Sequence, residues 1–272
     1  MAEDQPESEE IRLAFRIGYL GTGFSGSQVQ PDKRTVEGEI ALACTRAGLI
    51  SDKRSSRLML SGRTDRGVHA RCQILSFSTR YPDRAVRALN GQLPPDIWAD
   101  AWTPVPHTFS PRYDVIVRTY RYYYPRIPSD LELMRQAVAL FSGHHDFTCF
   151  ARLEPEKNPL ITVESIRVDL EDDYCWLTIT ARSFLWHMVR CIACSAFRVS
   201  EGELSLDDIR VLLSGTCKNK AKPAPPEGLI LWDVKTDLCW NSIPITGLKM
   251  RNIRDVASHH RLMYRVSSLL LE

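Results

Sequence analysis

Ser61-Gly62-Arg63-Thr64-Asp65-Arg66-Gly67-Val68-His69-Ala70 is the stretch around which this chain is organised. Two glycines bracket a short Arg-Thr-Asp centre, and Gln73-Ile74-Leu75-Ser76-Phe77-Ser78 follows. Glycine reaches backbone angles closed to other residues, so the segment reads as a tight loop running into a strand. A carboxylate held there beside two arginines stays ionised, because nearby positive charge favours its charged form. Taken alone, the same residues also describe a solvated turn with surface charges. Companion segments along the chain decide between the two.

Residues 58–61 and 72–79 read as strands on either side of this loop. Upstream, apolar and polar residues alternate over 11–19, with Leu13, Phe15 and Ile17 set against Arg12 and Arg16, which predicts a half-buried strand. Gly21-Thr22-Gly23-Phe24-Ser25-Gly26 has the spacing of a dinucleotide loop. It runs into Ser27-Gln28-Val29-Gln30-Pro31 rather than into a helix, and the βαβ setting is missing, which argues against a Rossmann site. Thr35 is placed to cap a helix over 36–47 that Gly48 stops. Asp83 is placed to cap a second over 83–90, Leu93-Pro94-Pro95-Asp96 breaks it, and 97–103 returns as a strand. The order β-α-β-β-α-β is that of a ferredoxin-like, split βαβ sandwich.

The same cycle starts again downstream. A β-branched and aromatic strand over 115–124 precedes an amphipathic helix over 130–141. An antiparallel pair, 161–170 and 175–181, turns at Glu171-Asp172-Asp173. A strongly apolar helix over 184–199 comes next, and Ser205 with Asp207 and Asp208 opens another. Pro223-Ala224-Pro225-Pro226 then punctuates the chain before a closing strand over 228–234. The predicted fold class is α+β, with two ferredoxin-like domains whose antiparallel sheets flank a central cleft. Residues 1–10 form an acidic disordered tail, 11–105 the N-terminal domain, 106–247 the C-terminal domain and 248–272 a basic helix.

Composition sets the outer limits. The 272 residues, 44% hydrophobic and 25% charged, are those of a globular protein with a sizeable core. No apolar run approaches the roughly 20 residues that span a bilayer. No charged-then-apolar signal segment opens the chain, so a cytoplasmic location is expected. The net charge of +2 conceals an asymmetry, because residues 1–10 hold five acids and no Lys or Arg, leaving +7 on the remainder. That basic excess suits a polyanionic partner. Eight cysteines in a chain of this size do not predict a disulfide framework. Cys191-Ile-Ala-Cys194 lacks a second pair and lies in an apolar helix, so core packing is its expected role.

The loop and its companions together resemble the TruA family of tRNA pseudouridine synthases. Residues 61–70 resemble the signature A/S-G-R-T-D-x-G-V-H-A, and Thr35-Val36-Glu37-Gly38-Glu39 resembles the family's first helix. Ala88-Leu89-Asn90 and Leu93-Pro94-Pro95-Asp96-Ile97 are similar to its second helix and exit. Arg118-Thr119-Tyr120-Arg121-Tyr122 looks like its R-x-Y-R-Y strand, and Asp146-Phe147-Thr148-Cys149-Phe150 like D-F-x-S-F. Phe184-Leu185-Trp186-His187-Met188-Val189-Arg190 is similar to F-x-x-x-M-V-R, and Ala224-Pro225-Pro226-Glu227-Gly228-Leu229 to A-P-x-x-G-L. The matches keep the family's order from residue 11 to about 234. One departure stands out: most members carry G-W-Q where this chain has Gly26-Ser27-Gln28.

The resemblance implies a pseudouridine synthase fold and isomerisation of uridine to pseudouridine in the anticodon stem-loop of tRNA, at about positions 38 to 40, recognised by shape and phosphate contacts. Breaking N1–C1′, rotating the uracil and forming C5–C1′ needs no redox agent, metal or nucleotide, so no cofactor is implied. Asp65 takes the role of the catalytic carboxylate. Attack at C1′, attack on the ring and removal of the 2′ proton are all open to it. Tyr120 takes the place of the active-site tyrosine, with a flat face for uracil and a hydroxyl near the C5 proton. Arg190 matches the arginine of M-V-R, with Asp65 its natural partner on an apolar helix. Arg63 and Arg66 are expected to bind RNA, Arg63 filling the space of an extruded base or holding a phosphate, while His69 is expected to be structural. The lysines at 218, 220 and 222 and the basic C-terminal segment are further candidates. The family also implies a homodimer and tRNA as partner. Two alternatives stand beside this reading: the same chemistry at another tRNA position or on another RNA, and a tRNA-binding protein without catalysis.

Overall fold

In the computed structural model, residues 9–155, 157–217 and 219–270 are described. The acidic tail expected over 1–10 falls mostly outside them, as does Lys218. Strand β1 (Ile11–Tyr19) pairs antiparallel with β3 (His69–Thr79) on one edge and β4 (Ile97–Pro104) on the other. Between β1 and β3 come α1 (Val36–Arg46) and the short β2 (Met59–Leu60), and α2 (Pro82–Gln92) leads to β4. The order β4-β1-β3-β2 is that of the expected split βαβ unit.

The second half repeats it. Strand β5 (Val117–Tyr123), α3 (Leu131–Ala139), β6 (Gly143–Asp146), β7 (Leu160–Glu171), β8 (Tyr174–Ala181), α4 (Met188–Ser200), α5 (Leu206–Leu213) and β9 (Leu229–Lys235) follow in turn. Their sheet runs β9-β5-β8-β7, with β6 added at its edge. The two halves share one continuous sheet, closed at its far edge by β10 (Asn241–Ser242) against β4.

The join between the halves positions the site. Strand β3 has β1 along one side, while its other side is divided. Its far end pairs with β2 (Leu60 opposite Leu75), and its near end pairs parallel with β9 (Ala70 opposite Leu231). Residues 61–68 emerge from β2 and return into β3 at this fork, so β9 of the second half sits beside a loop of the first.

Local chemistry explains most boundaries. The Thr35 side chain accepts from the Gly38 N–H, Asp130 from Leu133, and Ser205 with Asp208 forms a reciprocal capping box. Two expectations are corrected. Helix α2 opens at Pro82 with Tyr81 before it, and Asp83 sits in its first turn, favouring the positive end of the helix dipole rather than capping it. Helix α4 begins at Met188, not at 184, because His187 adopts a left-handed backbone. The C-terminal helix is α6 (Gly247–Leu269). It is held by buried Lys249, whose Nζ donates to the carbonyls of Leu93, Pro94 and Ile97.

The cysteines divide. Cys149 and Cys217 form a disulfide, which their spacing did not announce. Cys191 and Cys194 remain thiols, with Cys191 buried and donating to the Ala221 carbonyl. Among the described residues no helix is long and apolar enough to cross a membrane.

Candidate active site

A cleft of about 1480 Å³ opens where the halves meet, lined by residues 61–68, the start of β5, the approach to α4 and the segment holding Arg152, Glu154 and Lys157. Ten Lys and Arg side chains line it against four Asp and Glu, so the walls favour an anionic ligand.

The Asp65 loop is held from three directions. Ser27 clamps it from the first half: its Oγ accepts from the Thr64 N–H at 2.8 Å, and its own N–H donates to the Thr64 carbonyl at 3.1 Å. Buried Tyr19 shares a 2.8 Å hydrogen bond with the Thr64 hydroxyl. From β3, the Gln73 side chain bonds the Ser61 hydroxyl and donates to the Gly62 carbonyl. From the second half, Arg118 donates to the Ser61 carbonyl at 2.6 Å while also holding the Arg112 and Arg182 carbonyls.

The glycine-rich segment before α1 is the backing of this loop rather than a nucleotide site. A side chain at Gly21 would come within 2.0 Å of the Val68 carbonyl oxygen. Gly26 has φ +101°, and a Cβ there would meet the Thr64 carbonyl at 3.0 Å. The Gly21 N–H donates to His69 Nδ1 at 3.1 Å, which makes His69 a strut between the two segments. Burial lowers the pKa of its ring.

So supported, Asp65 turns toward α4. Arg190 Nη1 donates to its Oδ2 at 2.8 Å, and Arg190 Nε donates to the Ala224 carbonyl at 2.7 Å. One guanidinium therefore ties the Asp65 loop to the Pro-rich approach to β9. The side chains of the pair are only 12% and 19% exposed, a setting in which each charge needs the other. His187 Nε2 lies 3.6 Å from the same Oδ2. Tyr120 is buried on β5 with its ring edge-on to Phe184, centroids 5.0 Å apart. Burial raises its pKa, reinforced by the charge of Asp65, so the phenol stays protonated.

The structure brings Asp65, Tyr120 and Arg190 to one cleft. Arg63 reaches across it, Nη1 to Glu154 Oε1 at 2.8 Å. Arg66 lies exposed on the loop without a hydrogen bond or ion pair to another described residue. Four residues of the site are given no role by the sequence pattern: Ser27, Arg118, Glu154 and His187. Ser27 was visible only as a departure from G-W-Q, and His187 was hidden inside a segment expected to be helical.

A shared sheet of two split βαβ units carries an Asp–Arg pair and a buried tyrosine in a basic cleft, an arrangement suited to acting on a polyanion. A family model described as tRNA pseudouridine synthase matches residues 137–237. The tRNA pseudouridine synthase A of Methanoculleus marisnigri is 43% identical over 262 residues, 96% of each chain. That of Methanosphaerula palustris is 48% identical over 224 residues, covering 82% of this chain and 80% of its own. That of Thermococcus onnurineus is 42% identical, covering 83% and 85%. The chain belongs to the tRNA pseudouridine synthase A family, and with it to the isomerases.

Proposed function

We propose that this chain isomerises uridine to pseudouridine in tRNA, with Asp65 as the catalytic carboxylate. The observation that carries this reading is the Asp65–Arg190 pair at 2.8 Å on the wall of a basic cleft, beside a protonated Tyr120. Arg190 fixes Oδ2 through a charge-assisted hydrogen bond, which leaves Oδ1 to face the nucleoside. Tyr120 offers its ring to the uracil and its hydroxyl as a donor. The isomerisation moves one glycosidic bond and exchanges a C5 proton for an N1 proton, so carboxylate and phenol suffice without a cofactor.

Arg63 and Arg66 take the RNA backbone or the space of the flipped nucleotide, whose extrusion costs a few kcal/mol. The substrate site is the anticodon stem-loop at about positions 38 to 40, bound by shape and phosphate contacts. The working form is a homodimer acting in the cytoplasm. The test is incubation of unmodified tRNA transcripts with the purified protein, followed by mapping of pseudouridines. Modification confined to the anticodon stem-loop supports the whole reading. Modification only elsewhere sinks the positional part, and tRNA binding without any modification sinks the enzymatic part.

A further inference from the structure

Two large apolar side chains among the described residues both line the cleft and stand exposed, Tyr113 and Trp186. Trp186 is the more firmly held. Its carbonyl accepts from the Arg152 N–H at 2.9 Å across an isolated antiparallel bridge. The Arg152 guanidinium carbon lies 4.4 Å from the centroid of the indole, so a cation covers one face of the ring. The residue is still 40% exposed, and with one face taken that exposure falls on the rest of the side chain. Tyr113 has only the Arg112 guanidinium, at 5.9 Å, and is 75% exposed.

The position of Trp186 is tied to the site. The next residue, His187, has Nε2 3.6 Å from Asp65 Oδ2, so the indole stands one residue from a contact of that carboxylate. The turn that carries it is closed by the Met188 N–H donating to the Leu185 carbonyl at 3.1 Å, directly ahead of α4. An indole left open here is a flat apolar surface among positive charges. The ligand that matches both properties is anionic and carries flat rings, as a nucleic acid does. Bases inside a stem are stacked on one another and offer no free face, so the match is an unpaired base.

We propose that Trp186 is a stacking platform for an unpaired nucleobase of the RNA, next to the target uridine. The inference rests on the tRNA substrate proposed above and not on the chemistry done to it. Base, indole and Arg152 guanidinium form three layers, with the cation supporting the indole from behind. No bond forms or breaks at this base. Every base has a π-face, so the stack tolerates sequence and serves to fix the strand beside Asp65. Trp186 is therefore a positioning residue. Because the ring is already held by Arg152 and by its own turn, little freedom is lost when the base arrives.

The test measures binding of an unmodified tRNA transcript to wild type, Trp186→Ala, Trp186→Leu and Trp186→Phe, each checked for folding by circular dichroism. Alanine and leucine should weaken binding about 5- to 100-fold, the range for losing one base stack, while phenylalanine stays within about threefold. The slope of log affinity against log salt should not change, because no phosphate contact is lost. Quenching of tryptophan fluorescence by the tRNA should shrink in Trp186→Phe although the complex still forms. Single abasic substitutions are then placed through the unpaired stretches of the tRNA. One of them should cost wild type as much as Trp186→Ala does, and combining the two should cost no more than either alone. Full affinity in the alanine or the leucine variant would overturn the proposal. So would a salt slope flattened by about one, or abasic losses that add to the alanine loss at every position. Wild type that binds tRNA in this way but forms no pseudouridine would refute the isomerisation and leave the platform standing. Wild type without affinity for tRNA would refute both.

Discussion

Asp65 and Arg190 lie 125 residues apart in the chain and 2.8 Å apart in space. Each comes from a different half of the molecule, so the pair exists only when the two split βαβ units share their sheet. Arg190 also holds the Ala224 carbonyl, which makes it both the counter-charge of Asp65 and a fastener for the strand approach.

Arg190→Ala should therefore lower kcat by about 10²- to 10³-fold, as expected when a fixed electrostatic partner is removed, while tRNA binding weakens by no more than a few-fold. Arg190→Lys should recover little, because a single ammonium on a flexible stem does not reproduce the fixed guanidinium fork that serves both acceptors. Steady-state kinetics with a parallel binding measurement checks this. Equal losses in kcat and affinity would identify Arg190 as a phosphate contact instead.

Much of this arrangement is legible in the sequence. Strand β1 falls over the residues where apolar and polar side chains alternate, and the caps at Thr35, Asp130 and Ser205 lie where side-chain chemistry places them. What was hidden is non-local. The fork in β3 depends on β9, some 160 residues away in the chain, and no periodicity reports a strand's second neighbour. Helix α4 starts four residues late because His187 is left-handed, and apolarity carries no information about φ. Ser27 looked like a loss of the usual tryptophan, yet it is the clamp on the Thr64 peptide. Its value appears only when the glycine-rich loop is seen packed behind the Asp65 loop.

The Arg63–Glu154 contact predicts a competition. Both side chains are substantially exposed, so the pair contributes at most about 1 kcal/mol to stability. A phosphate arriving at Arg63 must displace the Glu154 carboxylate. Glu154→Gln should therefore bind tRNA about two- to fivefold more tightly at low salt, and the slope of log affinity against log salt should steepen by about one. Thermal stability should stay within a degree or two. Binding isotherms at several salt concentrations check it, and an unchanged slope would mean that Arg63 does not meet phosphate.

Lys249 predicts a pH dependence. Burial lowers its pKa to about 8. An unfolded lysine keeps its proton to about 10.4, so between these limits the unfolded chain binds more protons and stability rises with pH. Below about 8 both states are protonated and this contribution is flat. Lys249→Met removes the titration and leaves three carbonyls without their donor, at a cost of about 1–3 kcal/mol. Denaturant unfolding of both proteins from pH 7 to 10 checks this. Wild type should gain on the variant as pH rises, and a constant difference would show that Lys249 titrates normally.

The central claim is that Asp65 does the chemistry, and Asp65→Asn tests it most directly. Asparagine keeps the size and the capacity to accept from Arg190 but removes the charge. Pseudouridine formation on unmodified tRNA, measured in a single turnover with enzyme in excess, should fall by at least about 10³-fold, within the range for a positioned reacting group. The Kd for tRNA should stay within a few-fold of wild type. An Asp65→Asn protein that forms pseudouridine at a rate near wild type would contradict the account.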